Sequence, residues 1–160
     1  MAEPASGYAT DLGLYSPEEL TMVPEGALSL SRGCGNPTGF ADLQPGEAVV
    51  DFGCGGGIDV ILAAQKVGSS GRVIGVDGTP QMVEQAWRNV GEAAFGDPFI
   101  DLRVADLATT GLPDGSADVV ISNCVINLCP DKDAVYHEVF RVLRPGGHLA
   151  ISDVVLTEEL

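Results

Sequence analysis

Apolar residues along this chain come in two rhythms. Short runs rich in β-branched residues occur at Ala48–Asp51, Arg72–Asp77, Ile100–Val104, 117–122 (ADVVIS) and 148–156 (HLAISDVVL), and they predict five strands. Between them apolar positions recur at helical spacing. Ile58–Val67 follows the first strand; QMVEQAWRNVGEAA, opened by Pro80 and ended by Gly96-Asp97-Pro98, follows the second. Asp131–Leu143 precedes the fifth, with Val135, Val139, Val142 and Leu143 on one face and Pro145-Gly146-Gly147 as its stop. Strands alternating with helices predict an α/β fold built on a doubly wound, mainly parallel sheet.

The first third of the chain lacks this alternation. Residues 1–14 have no periodicity and are expected to be mobile. Ser16-Pro17-Glu18-Glu19 has the order of a capped helix start, and Pro24 and Gly26 are expected to stop that helix. A glycine-rich connector follows, with a short helical turn expected at Phe40–Leu43 before Pro45-Gly46 leads into the first strand. The chain therefore divides into an N-terminal helical and loop segment, residues 1–45, and a core at 46–160, within one domain overall.

The densest chemical signal is VVDFGCGGG at Val49–Gly57, a strand running into a glycine turn ahead of a helix. Gly53, Gly55 and Gly57 allow the backbone to approach a ligand closely, and the helix start behind them offers free N–H groups. A dinucleotide fingerprint counted from Gly53 would need its last glycine where Ile58 stands, and no Gly-Lys-Ser/Thr follows as a P-loop requires. Asp77 closes the second strand twenty residues after Gly57, a spacing that suits ribose hydroxyls. Asp106 lies just past the third strand, where α/β folds bind ligands, and could accept a hydrogen bond from an adenine amino group.

Charge narrows the choice of partners. With 8 Lys and Arg against 23 Asp and Glu, the net charge is −15, so neither nucleic acid nor an anionic membrane is an expected partner. Such acidity also serves solubility and suits salt-rich surroundings. A mean hydropathy of +0.20 fits a packed globule, and the absence of a leader pattern or long apolar run predicts a cytoplasmic protein. The cysteines, Cys34, Cys54, Cys124 and Cys129, form no C-x-x-C pair, so they are buried small residues or reactive thiols. His137 and His148 are expected at the surface.

The D-x-G-x-G-x-G pattern from Asp51 to Gly57 resembles motif I of class I S-adenosylmethionine-dependent methyltransferases. More specific is SNCVINLCPDK at Ser122–Lys132; with VPEGA at Val23–Ala27, GCGNP at Gly33–Pro37 and RVLRPGG at Arg141–Gly147, it closely resembles arsenite methyltransferases. The resemblance runs from about Tyr15 to Leu156 and implies a Rossmann-like class I methyltransferase core. It implies S-adenosylmethionine held by Asp51, Gly53, Gly55, Gly57, Asp77, Gly78, Asp106, Leu107 and Asn123. It also implies trivalent arsenic, as arsenite or its thiol conjugate, held by Cys34 and Cys124, with a thiol reductant such as glutathione or thioredoxin.

Soft thiolates suit a soft centre, and an arsenic lone pair needs no general base. The departures are a glycine at position 78 where a bulkier apolar residue is usual, no cysteine in residues 1–33, and a chain that stops before the family's last strands. The fifth strand is then expected as a bare edge, so that either the chain is a fragment or a partner or second copy covers that edge. Cys54 is expected to be structural and Cys129 a spectator. Two alternatives stay open: a quinone or other small-molecule methyltransferase, and a non-catalytic module that binds cofactor or arsenic.

Overall fold

The computed structural model describes residues 14–32, 34–93, 99–155 and 157. Residues 1–13 of the expected mobile start, and the helix stop at Gly96-Asp97-Pro98, lie outside that range. Five strands are present: β1 (Ala48–Phe52), β2 (Arg72–Asp77), β3 (Phe99–Val104), β4 (Ala117–Asn123) and β5 (Leu143–Ser152). They form one sheet in the order β3-β2-β1-β4-β5, and every neighbouring pair is parallel.

Side chains of β1 alternate between two helical layers, as the pleat requires. Val49 packs with Val60, Ala63 and Val67 of α4 (Ile58–Val67) and with Val83 and Ala86 of α5 (Pro80–Glu92). Val50 and Phe52 pack on the opposite face with Val135, Val139 and Val142 of α6 (Lys132–Val142). Right-handed crossovers account for the division: β1-α4-β2-α5-β3 winds one way, and the chain then returns to β4 on the far side of β1. Each buried aliphatic side chain contributes about 1.5–3 kcal/mol over an exposed one, so these two layers dominate stability. The winding reverses between β1 and β4, which opens a crevice at their carboxyl ends.

The capped start is present in α1 (Pro17–Thr21). Ser16 Oγ accepts from the Glu19 N–H at 3.2 Å while Glu19 Oε2 accepts from the Ser16 N–H at 2.8 Å. Three elements differ from expectation. Pro24 closes α1 but also starts α2 (Glu25–Leu30), its carbonyl accepting from the Ala27 and Leu28 amides. Proline's fixed φ suits a helix start as well as a stop. The short helix lies at α3 (Pro37–Phe40) rather than Phe40–Leu43, because Asn36 Oδ1 caps it by accepting from the Gly39 N–H at 3.0 Å. β5 begins at Leu143, not His148, and carries Pro145-Gly146-Gly147 through a register shift opposite Ala117–Val119. A bulge tolerates a proline, since the ladder is already interrupted where its N–H is missing. Among the described residues β5 pairs only with β4, so it is the edge that the sequence predicts.

Candidate active site

The crevice between β1 and β4 is a cavity of about 620 Å³, within the range of nucleoside-sized ligands. Its floor is the loop Gly53–Gly56, where glycine is required for shape. Gly53 has φ +83°, and a Cβ there would stand 2.4 Å from Cγ1 of Val125. Gly57, with φ +90°, is the N-cap of α4, and a Cβ there would come within 3.2 Å of the Ala86 Cβ.

The end of β2 is fixed to this loop. Asp77 Oδ2 accepts from the Gly55 N–H and Oδ1 from the Thr79 N–H, both at 2.9 Å. Each oxygen keeps lone-pair capacity for a further donor. Asp106 is held similarly, its Oδ1 accepting from the Ala108 N–H at 2.7 Å, and Leu107 supplies an apolar wall beside it. A Cβ on Gly78 would meet nothing nearer than the Ala105 carbonyl at 3.9 Å, so the wall is open there. Four carboxylates (Asp59, Asp77, Asp106 and Asp131) line the cavity, against one cation, Arg32. That balance repels a polyphosphate and favours a cationic ligand bearing hydroxyl and amine donors.

Gly53, Gly55, Asp77, Gly78, Asp106, Leu107, Asn123 and Cys124 all line the cavity. Asp51 and Gly57 do not: Asp51 is 2% exposed behind the loop, and Gly57 shapes the turn. Cys34 stands beside the cavity rather than in its lining, disulfide-bonded to Cys124 with the two Cα atoms 5.7 Å apart. Two devices bring this pair together across ninety residues. The Cys124 N–H donates to the Ser152 carbonyl at 2.7 Å, continuing the β4–β5 ladder, and the backbone turns at Cys124 through φ +58°. A non-glycine residue there is strained, and strain of that kind persists where surrounding structure holds it. Asn123 then pins the Cys34 loop, its Oδ1 accepting from the N–H groups of Cys34 (3.0 Å) and Gly35 (3.2 Å).

Asn123 also joins a buried network. Its Nδ2 lies 2.8 Å from the Gly35 carbonyl and 3.1 Å from both Asp59 Oδ2 and the Tyr15 hydroxyl. The Tyr15 hydroxyl donates to Asp59 Oδ1 at 3.2 Å. Burial pushes the Asp59 carboxyl up to about 6 although these donors oppose the shift, and burial with the charge of Asp59 raises Asp51 well above the carboxylate range. Tyr15 and Asp59 carry no motif in the sequence, and only the fold brings them to the site.

Cys54 lines the cavity from within the glycine loop while only 5% exposed, and its thiol is pushed up, by burial first. Cys129 lines the cavity, with its thiol raised by burial and its Sγ 3.7 Å from the Val125 carbonyl. His137 and His148 are exposed; the His148 Nε2 lies 2.7 Å from the Ala41 carbonyl.

The parallel sheet, the glycine loop at its switch point and the acidic cavity define the Rossmann-like fold of S-adenosylmethionine-dependent methyltransferases. Residues 43–160 match the methyltransferase-domain family, and the chain belongs to it. Within that class the similarity is to arsenite methyltransferases. The one from Halobacterium salinarum is 48% identical over 143 residues, covering 89% of this chain and 36% of the relative. The one from Mus musculus is 39% identical over 155 residues, covering 91% of this chain and 40% of the relative. The structure of an arsenic(III) S-adenosylmethionine methyltransferase from Chlamydomonas reinhardtii superposes with a TM-score of 0.78 at 39% identity, covering 85% of this chain and 47% of that one. The chain thus spans about two fifths of the length of these curated relatives. Among the described residues no helix is long and apolar enough to cross a membrane.

Proposed function

We propose that this chain binds S-adenosylmethionine and carries the acceptor thiols for methyl transfer to trivalent arsenic. The observation that supports this reading is the meeting of Cys34 and Cys124 at the rim of the acidic cavity. S-adenosylmethionine supplies an electrophilic sulfonium methyl group. Asp77 would accept from its ribose hydroxyls, Asp106 from its adenine amine, and Leu107 would pack against the base. The glycine loop lets the backbone approach the amino-acid end, and the carboxylates lining the cavity suit the positive charge.

In the reduced chain, Cys34 and Cys124 displace two hydroxyls from arsenite, and two waters leave. The arsenic lone pair then forms a bond to the methyl carbon while the carbon–sulfonium bond breaks onto sulfur. Arsenic has lost two electrons at that point. The two thiolates return them by joining as the Cys34–Cys124 disulfide; a water takes their place on arsenic, a proton leaves, and the methylated trivalent arsenic is released with two hydroxyls. An external thiol, of the glutathione or thioredoxin type, must then reduce the pair before another turnover.

The test uses the reduced chain with arsenite, methyl-labelled S-adenosylmethionine and glutathione. Methylated arsenicals are expected. Cys124→Ser is expected to abolish both arsenite binding and transfer while changing cofactor affinity by less than about threefold, or ~0.7 kcal/mol. Serine preserves the packing, but its hard oxygen is a poor ligand for a soft centre. Cys129→Ser serves as the internal control. Arsenite binding by Cys124→Ser at wild-type strength removes the arsenic assignment and leaves a small-molecule methyltransferase in its place.

A further inference from the structure

The thiol pair has a third neighbour. A carboxylate oxygen of Asp153 and the two sulfur atoms of Cys34 and Cys124 all lie within 4.8 Å of one another. The sheet explains the meeting: Asn123 and Ser152 are register partners, so Cys124 and Asp153 leave adjacent strands side by side. Asp153 is oriented before any ligand arrives. Its Oδ2 accepts from the Asn127 N–H at 2.9 Å and its Oδ1 from the Val154 N–H at 2.8 Å. Each oxygen retains capacity for another donor. Cys124 lines the cavity but Asp153 does not, so the carboxylate approaches the pair from outside the cavity.

Two thiolates leave trivalent arsenic with one hydroxyl. Arsenic is pyramidal, so its lone pair occupies the remaining corner, and productive transfer needs that corner turned to the cavity. We propose that Asp153 is a positioning residue that accepts a hydrogen bond from this remaining arsenic hydroxyl and so aims the lone pair at the cavity. A carboxylate is a strong acceptor for such an O–H and a poor ligand for a soft centre, so it orients arsenic without replacing the hydroxyl. The proposal rests on arsenic being the acceptor held by Cys34 and Cys124.

The experiment measures binding of arsenite and of phenylarsonous acid to the reduced full chain, in wild type, Asp153→Ala and Asp153→Asn. Phenylarsonous acid also yields two hydroxyls to two thiols, but its third substituent is carbon, which leaves no hydroxyl for Asp153. Asp153→Ala is expected to weaken arsenite about tenfold or more, the loss of a hydrogen bond to a charged group. Phenylarsonous acid is expected to stay within about threefold of wild type. Asp153→Asn, which keeps one acceptor oxygen and with it one of the two loop hydrogen bonds, should lie between; it also serves if the alanine variant melts early. Equal loss of both arsenicals would assign Asp153 to holding the loop and overturn the proposal, as would no loss of either. A wild-type chain that binds neither arsenical defeats the arsenic reading itself, a separate result from failure of the Asp153 role.

Discussion

Asp59 sits in the first turn of α4, 4% exposed, with Tyr15 and Asn123 as hydrogen-bond donors and Asp51 behind it. A carboxyl raised from 3.8 to about 6 holds its proton in the folded chain over a range where the unfolded chain has lost it. Between those values the native state binds more protons, so stability falls as pH rises. Below about pH 4 the contribution is fully present, and above about pH 6 it is gone. Asp59→Asn removes this titration and keeps one oxygen to accept from Tyr15 or Asn123. The difference in unfolding free energy between wild type and variant is therefore expected to decline from pH 4 to 6.5, by at most about 1.4 kcal/mol per pH unit, and to level off above. Urea melts across that range check it, and parallel curves would refute it. Nothing in the sequence marks Asp59 or Tyr15, because an acid in a helix's first turn ordinarily faces water and favours the dipole. Cys34 and Cys124 were legible only as parts of specific motifs. Asp153 was not legible at all, since its meaning comes from the β4–β5 register.

At the scale of elements, the loop between β1 and α4 has the most at stake. Gly57→Ala forces a left-handed backbone on alanine, which costs about 1–2 kcal/mol, and brings its methyl within 3.2 Å of Ala86. Because Gly57 does not line the cavity, the expected result is a lower melting temperature with ligand affinity changed little in the chain that remains folded. Gly53→Ala drives a methyl into Val125 at 2.4 Å and into the cavity floor, so it is expected to lose ligand binding as well as stability. Thermal melts and calorimetric titration with S-adenosylhomocysteine separate the two. Identical behaviour of both variants would mean that the loop acts only as a packing turn. All five strands and α4 to α6 could be read from the sequence: the strands as short β-branched runs, the inner ones buried on both faces between helical layers, and the helices from apolar positions recurring at helical spacing. α2 could not, since proline gives the same local signal at a helix stop and a helix start. The early start of β5 was hidden for a related reason: Pro-Gly-Gly normally ends an element, and here the strand passes through it at a register shift opposite Ala117–Val119.

The whole molecule carries eight cationic side chains and 23 acidic ones. Among the described residues five of the cations are engaged in ion pairs: Lys66, Arg88, Arg103, Arg141 and Arg144. Two salt effects therefore compete. Screening weakens these pairs, but exposed pairs such as Arg88 with Glu84 are each worth only about 0–1 kcal/mol. The more protected pair of Arg141 with Glu138, a carboxyl held down to about 2 chiefly by that guanidinium, is screened less. Against them stands the mutual repulsion of a net charge of −15, which acts across the whole surface and is relieved on unfolding. Raising ionic strength from about 0.1 to 1 M shortens the screening length from ~10 to ~3 Å, below the spacing of most surface charges. Repulsion is thus the larger quantity removed, and sodium chloride is expected to raise the melting temperature. The rise should be about 5 °C, the shift that 1–2 kcal/mol produces in a domain of this size. An uncharged osmolyte at matched osmolality separates screening from surface exclusion, because only screening saturates by about 1 M. A melting temperature that falls with added chloride would mean that the ion pairs, not the net charge, govern the electrostatics of this fold.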